Sequence, residues 1–187
     1  MRLRLRPALL ALCLVLAALP AAALDTLILV RHAEKSEPWP AELDAFQPLS
    51  AAGEKRAEAL AALLKSEGIA AVYTSRTTRT LATGMPLVRL TNISITAEDA
   101  TTKPAEMAAF LARLRETHAK DRAVLLVGHS NTLPELLVQL GAKPACFERL
   151  GIQGEPGKLL IEGYEGIWKL DLKIEGCDAI VRQVAGP

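Results

Sequence analysis

Short aliphatic runs recur along the chain, each followed by a stretch in which apolar residues return every three or four positions. The run at 26–30, TLILV, is continuous and strand-length, the pattern of a strand buried on both faces. At 50–68 a serine in N-cap position and Glu54 precede Ala57, Leu60, Ala61 and Leu64 at helical spacing, with Gly68 closing the helix. IAAVYTS at 69–75 reads as a second strand. RTTRTLATGMPLV at 76–88 reads as a short helix interrupted by Gly84 and Pro86. NISIT at 92–96 is a third strand, and Pro104 opens an amphipathic helix over 104–120. RAVLLVGHS at 122–130 is a clear fourth strand, followed by a helix at 131–141 that ends in glycine. Beyond it, the stretches around 158–176 and 179–184 suggest two or three strands joined by Gly-rich turns.

Strands separated by helices of ten or more residues predict one α/β domain, a three-layer α/β/α arrangement with a parallel-dominated sheet and helices on both faces. No repeat, low-complexity tract or linker divides it. The first 23 residues stand apart. Arg2, Arg4 and Arg6 precede an apolar run at 8–19, and Pro20-Ala21-Ala22-Ala23 follows with small-residue cleavage spacing. That is the form of a secretory signal peptide at 1–23, leaving a domain at 24–187. A run of about a dozen residues is short of the roughly 20 that span a bilayer, so no stable membrane span is expected after cleavage.

Removing the leader changes the charge. Basic residues fall from 22 to 19 against 21 acidic ones, so the whole-chain value of +1 becomes about −2. No global basic field invites nucleic acid, and anion affinity must be local. Export implies an oxidising compartment, in which the two remaining cysteines, Cys146 and Cys177, either pair or serve as small buried apolar residues. Their spacing is not that of a metal site.

The chemistry concentrates where strands end, which is where open α/β sheets bind ligands. The first strand ends in Arg31-His32, with Glu34 and Lys35 behind. The second ends at Ser75, with Arg76 and Arg79 just inside the next helix. The fourth ends in GHSNT, placing His129 before a helix start that Ser130 or Asn131 caps. Arginine forks grip phosphate oxygens in bidentate fashion, and a neutral imidazole attacks phosphorus. Fixed positive charge around a nucleophilic imidazole suits phosphoryl transfer.

LVRHAEK resembles the RHG/RHA motif of the histidine phosphatase superfamily (phosphoglycerate mutase-like, branch 1). YTSRTTRTLAT resembles that family's S-x-x-x-R-x-x-x-T segment, aligning Ser75, Arg79 and Thr83, and LLVGHSNT resembles its second-histidine strand. The three occur in order across roughly residues 26–140. The resemblance implies a phosphoglycerate mutase-like fold and phosphomonoester hydrolysis through a phosphohistidine at His32. Arg31, Arg79 and His129, the last protonated in the bound state, would hold the phosphoryl oxygens, with Ser75 and Ser130 beside them. No metal or cofactor is implied.

The acid that protonates the leaving group is expected in TAEDATTKPAE, first at Glu98, with Asp99 and Glu106 as alternatives. Ser130 stands where one branch of the superfamily has an aspartate, which argues against that phytase-like branch. Arg76 and His118 are expected on solvated faces, and Arg31 has Glu34 as a possible ion-pair partner. Trp39 either walls the pocket or packs its loop, and residues 33–49 shape the substrate site. The expected substrate is a small-molecule or glycolipid phosphate ester in the periplasm or outside the cell. A catalytically idle anion-binding domain and a metallohydrolase using His32, His129 and a carboxylate are the competing readings.

Overall fold

Nothing polar interrupts the first and fourth strands because both lie at the centre of a sheet. The computed structural model describes residues 24–119 and 121–185, and the expected leader at 1–23 lies outside them. In chain order the elements are β1 (Thr26–Arg31), α1 (Ala51–Leu64), β2 (Ile69–Thr74), α2 (Thr78–Thr91), β3 (Ser94–Ala97), α3 (Pro104–Thr117), β4 (Ala123–Gly128), α4 (Thr132–Gln139), the single turn α5 (Phe147–Leu150), β5 (Ile152–Gln153), β6 (Leu160–Ile161), β7 (Gly166–Asp171) and β8 (Ile180–Val184). The main sheet has six strands in the order β3-β2-β4-β1-β7-β8. The first four are mutually parallel, and β7 and β8 extend the sheet antiparallel beyond β1. β5 and β6 form a separate two-stranded hairpin.

All six residues of β4 are buried, because each face of the sheet carries its own core. On one side Leu27 and Leu29 of β1 and Val124 and Leu126 of β4 meet Phe110, Leu114, Leu133 and Leu137 of α3 and α4. On the other, Ile28, Val30, Leu125 and Val127 meet Leu60, Leu64 and Leu87 of α1 and α2. This is the period-2 alternation of a strand covered on both faces. No helix among the described residues is long and apolar enough to cross a membrane.

Three sequence expectations are corrected. α2 is not interrupted at Gly84 and Pro86 but runs unbroken through both to Asn92, its left-handed C-cap. A Cβ on Gly84 would lie 2.8 Å from Val72 Cγ1, so the missing side chain lets the helix lie flat on the sheet. That packing outweighs the hydrogen bond Pro86 cannot donate. His118 is not on a solvated face. It is buried, its Nε2 within 2.8 Å of Tyr73 Oη and its Nδ1 within 2.6 Å of Asp121 Oδ2. Helix α3 ends beside β2, and two bonded nitrogens make burial of the ring tolerable. Asn131 is the N-cap of α4 but makes no side-chain cap hydrogen bond. Instead Thr132 Oγ1 accepts from the His129 backbone N–H at 3.2 Å. Cys146 and Cys177 form a disulfide that ties the start of α5 to the β7–β8 connection.

Candidate active site

Register alone brings the two chemical histidines together. β1 and β4 are parallel neighbours with Arg31 opposite Gly128, so His32 and His129 each follow the paired strand ends by one residue. His32 N–H donates to Gly128 O at 2.9 Å, and the two imidazole centroids lie 5.2 Å apart. β2 flanks β4 on its other side, with Thr74 opposite Val127. Ser75 therefore reaches His129, Oγ to Nε2 at 2.8 Å.

The S-x-x-x-R-x-x-x-T spacing works as three ties from one segment. Ser75 meets His129, and one helical turn later Arg79 enters the cluster. One more turn on, Thr83 Oγ1 donates to Arg79 O at 2.7 Å and accepts from the Ala33 N–H at 3.0 Å. Thr83 thus locks the residue next to His32 onto α2. On the far side, Gly53 of α1 lies against the Glu34 backbone so closely that a Cβ there would collide with the Glu34 carbonyl. The carbonyl also accepts from Ser50 N–H at 2.9 Å. The stretch carrying His32 is clamped between two helices.

His32 Nδ1 lies 2.8 Å from Ala33 O. A carbonyl only accepts, so Nδ1 carries the proton and Nε2 keeps its lone pair. Burial pulls the His32 pKa down from 6.5 to about 4, and Arg79, Arg31 and Lys35 push the same way against the Ala33 hydrogen bond. His129 falls to about 3, through burial first and then His32, Arg79 and Arg31, while Asp44 opposes the fall. Both rings are neutral at pH 7 here, so the protonated His129 of the sequence reading belongs only to an anion-bound state. A neutral imidazole with one free nitrogen is a nucleophile.

Arg31 is not held by Glu34. Arg56 takes both Glu34 oxygens, at 2.7–2.9 Å, and this pairing holds the Glu34 carboxyl below its usual range. Arg31 instead donates to Gly163 O at 2.9 Å and stacks on Tyr164, 4.2 Å from the ring centroid. Tyr164 also faces His32, centroids 6.0 Å apart. Sequence reading missed this residue by name, although the Gly-rich turn holding it was a visible signal. The Nε atoms of Arg31 and Arg79 are buried without a protein acceptor.

The remaining expected site residues divide. Ser130 contributes its backbone: its carbonyl accepts from Ile161 N–H at 2.8 Å, docking the β5–β6 hairpin beside the site. Glu98 follows β3, its N–H bonded to Thr74 O at 2.7 Å, but its carboxylate turns to Ala100 N and Arg113, each at 3.4 Å. Asp99 pairs with exposed Arg76, and Glu106 with Lys103. None of these three carboxylates is hydrogen-bonded to the cluster. The carboxylate that is belongs to Asp44, in the 3-10 segment Ala41–Phe46, which takes Arg79 Nη2 at 2.9 Å while its carbonyl takes Nη1 at 2.6 Å. Trp39 packs its own loop, donating to Leu43 O at 2.9 Å.

Two imidazoles and two guanidiniums thus lie near one another at the carboxyl ends of three parallel strands, an arrangement whose donors suit a tetrahedral oxyanion. A family model of the histidine phosphatase superfamily (branch 1) matches residues 27–102. No curated protein sequence matches the chain. Among solved structures, a candidate phosphohistidine phosphatase SixA from Agrobacterium tumefaciens is 23% identical, with TM-score 0.63 over 87% of this chain and 98% of that one. The protein histidine phosphatase SixA in complex with tungstate is 16% identical, with TM-score 0.61 over 84% and 94%. A mycobacterial glucosyl-3-phosphoglycerate phosphatase is also 16% identical, with TM-score 0.61 over 86% and 96%. At these identities the structural likenesses speak for the α/β fold, while the family model speaks for the motif-bearing segment. Over residues 27–102 the chain is thus similar to the histidine phosphatase superfamily, branch 1, and its fold is that of the solved structures above.

Proposed function

We propose that this chain is an exported phosphomonoester hydrolase that works through a phosphohistidine at His32. The observation that carries the reading is the hydrogen bond between His32 Nδ1 and Ala33 O at 2.8 Å, which leaves Nε2 as the free nucleophile inside the arginine clamp. In the first half-reaction the Nε2 lone pair attacks phosphorus and the ester P–O bond breaks. Arg31, Arg79 and His129 neutralise the equatorial oxygens, and His129 takes up a proton as the anion enters. In the second, water attacks the phosphohistidine, the N–P bond breaks and inorganic phosphate leaves.

Oxyanion binding by similar folds supports the clamp: SixA was captured with tungstate and the mycobacterial enzyme with inorganic phosphate. The leader-like sequence at 1–23 supports export, and a disulfide between Cys146 and Cys177 fits an oxidising compartment. An exported enzyme meets small-molecule or glycolipid phosphate esters rather than cytosolic mutase substrates.

The test is hydrolysis across a panel of phosphate esters, sugar and lipid-head phosphates included, with His32→Ala as the blank. An alkaline detergent quench should trap an alkali-stable, acid-labile phosphoryl label on the wild type alone. Hydrolysis surviving in His32→Ala would remove the nucleophile assignment. Wild type that binds phosphate without turnover would leave an anion-binding domain instead. For localisation, the mature protein should begin at Leu24 and fractionate outside the cytoplasm; an intact leader on cytoplasmic protein would overturn export.

A further inference from the structure

Arg79 is buried, and its two terminal nitrogens already have acceptors, the carbonyl and the carboxylate of Asp44 at 2.6 and 2.9 Å. These are the donors a phosphoryl group needs. The segment Ala41–Phe46 that supplies the acceptors buries none of its own residues, and its helical geometry breaks at Leu43. Its backbone ties are local: Leu43 N–H to Pro40 O, Gln47 N–H to Asp44 O and the Trp39 indole to Leu43 O. Asp44 is thus held over the clamp by what it does there rather than by a core beneath it.

We propose that Asp44 is the leaving-group acid of this site, displaced from Arg79 by the incoming phosphoryl group and then donating a proton to the ester oxygen. The proposal rests on the phosphohistidine reading above. A carboxylate and a phosphoryl dianion compete for the same guanidinium fork, and the dianion is the stronger partner. Once displaced, the carboxyl group lies beside that dianion. There the like charge favours its protonated form, which is what an acid needs. The groups that face it are Arg79, which it bonds, and His129 and Glu37, whose charge states it influences.

Protons balance across both half-reactions. As the His32–phosphorus bond forms and the P–O(R) bond breaks, the Asp44 carboxyl proton passes to the departing oxygen and the alcohol leaves neutral. As water attacks and the His32–phosphorus bond breaks, the Asp44 carboxylate takes the water proton and is ready for the next cycle. Glu98, the acid expected from chain order, is engaged with Ala100 N and Arg113.

The experiment compares Asp44→Asn, Asp44→Ala and Glu98→Gln on two esters, an alkyl phosphate and dinitrophenyl phosphate. A good leaving group departs without a proton. Both Asp44 variants should lose roughly 100-fold in kcat on the alkyl ester but less than about 5-fold on the activated one. Glu98→Gln should slow the two esters alike and slightly. In Asp44→Ala, inorganic phosphate or vanadate should bind more tightly, because the internal competitor is gone, and the thermal midpoint should stay near wild type. Equal slowing of both esters by the Asp44 variants, or selective slowing by Glu98→Gln, would overturn the assignment. Unchanged or weaker vanadate binding in Asp44→Ala would overturn the competition on which it depends. Failure of the phosphohistidine reading looks different: the wild type would then carry no label, or His32→Ala would go on hydrolysing both esters.

Discussion

Thr83→Val tests whether the lock behind His32 is polar. Valine keeps the size and branching of threonine and removes only the hydroxyl. That hydroxyl accepts from Ala33 N–H at 3.0 Å and donates to Arg79 O at 2.7 Å, at a position 2% exposed. With no water to replace it, the Ala33 N–H is left unpaired in the interior, a loss of about 1–3 kcal/mol. For a domain of this size each kcal/mol moves the thermal midpoint by about 2–4 °C, so Thr83→Val should melt roughly 2–12 °C below wild type. Urea unfolding should show a lower midpoint at unchanged slope. Thr83→Ser keeps both hydrogen bonds and loses one methyl, about 0.8 kcal/mol, so it should sit closer to wild type than valine. Because Ala33 adjoins His32, the proposed nucleophile, hydrolysis by Thr83→Val should fall further than its stability, by up to about 100-fold for a shift near 1 Å. Wild-type stability in Thr83→Val, or serine no better than valine, would refute the account.

Three further outcomes follow from the geometry. The folded-state pKa values of His32 and His129, about 4 and 3, lie below their ordinary 6.5. The unfolded chain therefore takes up protons first as pH falls. Stability should be full above pH 6.5 and decline below it with a slope of up to about 1.4 kcal/mol per pH unit for each histidine. Acid titration of unfolding should show that slope, reduced in His129→Gln. Arg31→Lys keeps the charge but not the planar fork that stacks on Tyr164 and reaches Gly163 O. It should lower kcat/KM by roughly 100-fold or more with little change in melting temperature. The Cys146–Cys177 bridge spans 31 residues, and its loss in a double alanine variant should cost roughly 3–4 kcal/mol by loop entropy. Hydrolysis well below the melting point should be spared, because β7 runs from the site end of β1 toward Thr26, so the bridge sits at the opposite end of the sheet.

Apolar periodicity was enough for the layer order and the strand centres, since a strand covered on both faces cannot carry polar residues and an amphipathic helix must show its stripe. Strand ends put Arg31, His32 and His129 at one edge of the sheet, while the choice of Arg79 over Arg76 came from the resemblance of 75–83 to the S-x-x-x-R-x-x-x-T segment; the structure brings these side chains near one another. Where the pattern failed, packing had outvoted propensity. α2 ran through Gly84 and Pro86 because the glycine seats it on Val72, and His118 went inward because Tyr73 and Asp121 bond both its nitrogens.

What chain order could not supply was anything decided by contact between distant segments. Glu98 is first after β3 in sequence, yet its carboxylate turns to Arg113, while Asp44, from a loop with no periodic signal, reaches the buried guanidinium. Glu34 lies beside Arg31 along the chain but belongs to Arg56, which frees Arg31 for Tyr164. Local sequence determines which backbone conformation a segment prefers and which face it must bury. Which charged side chain meets which depends on where the finished sheet brings the loops together, and that was settled only in three dimensions.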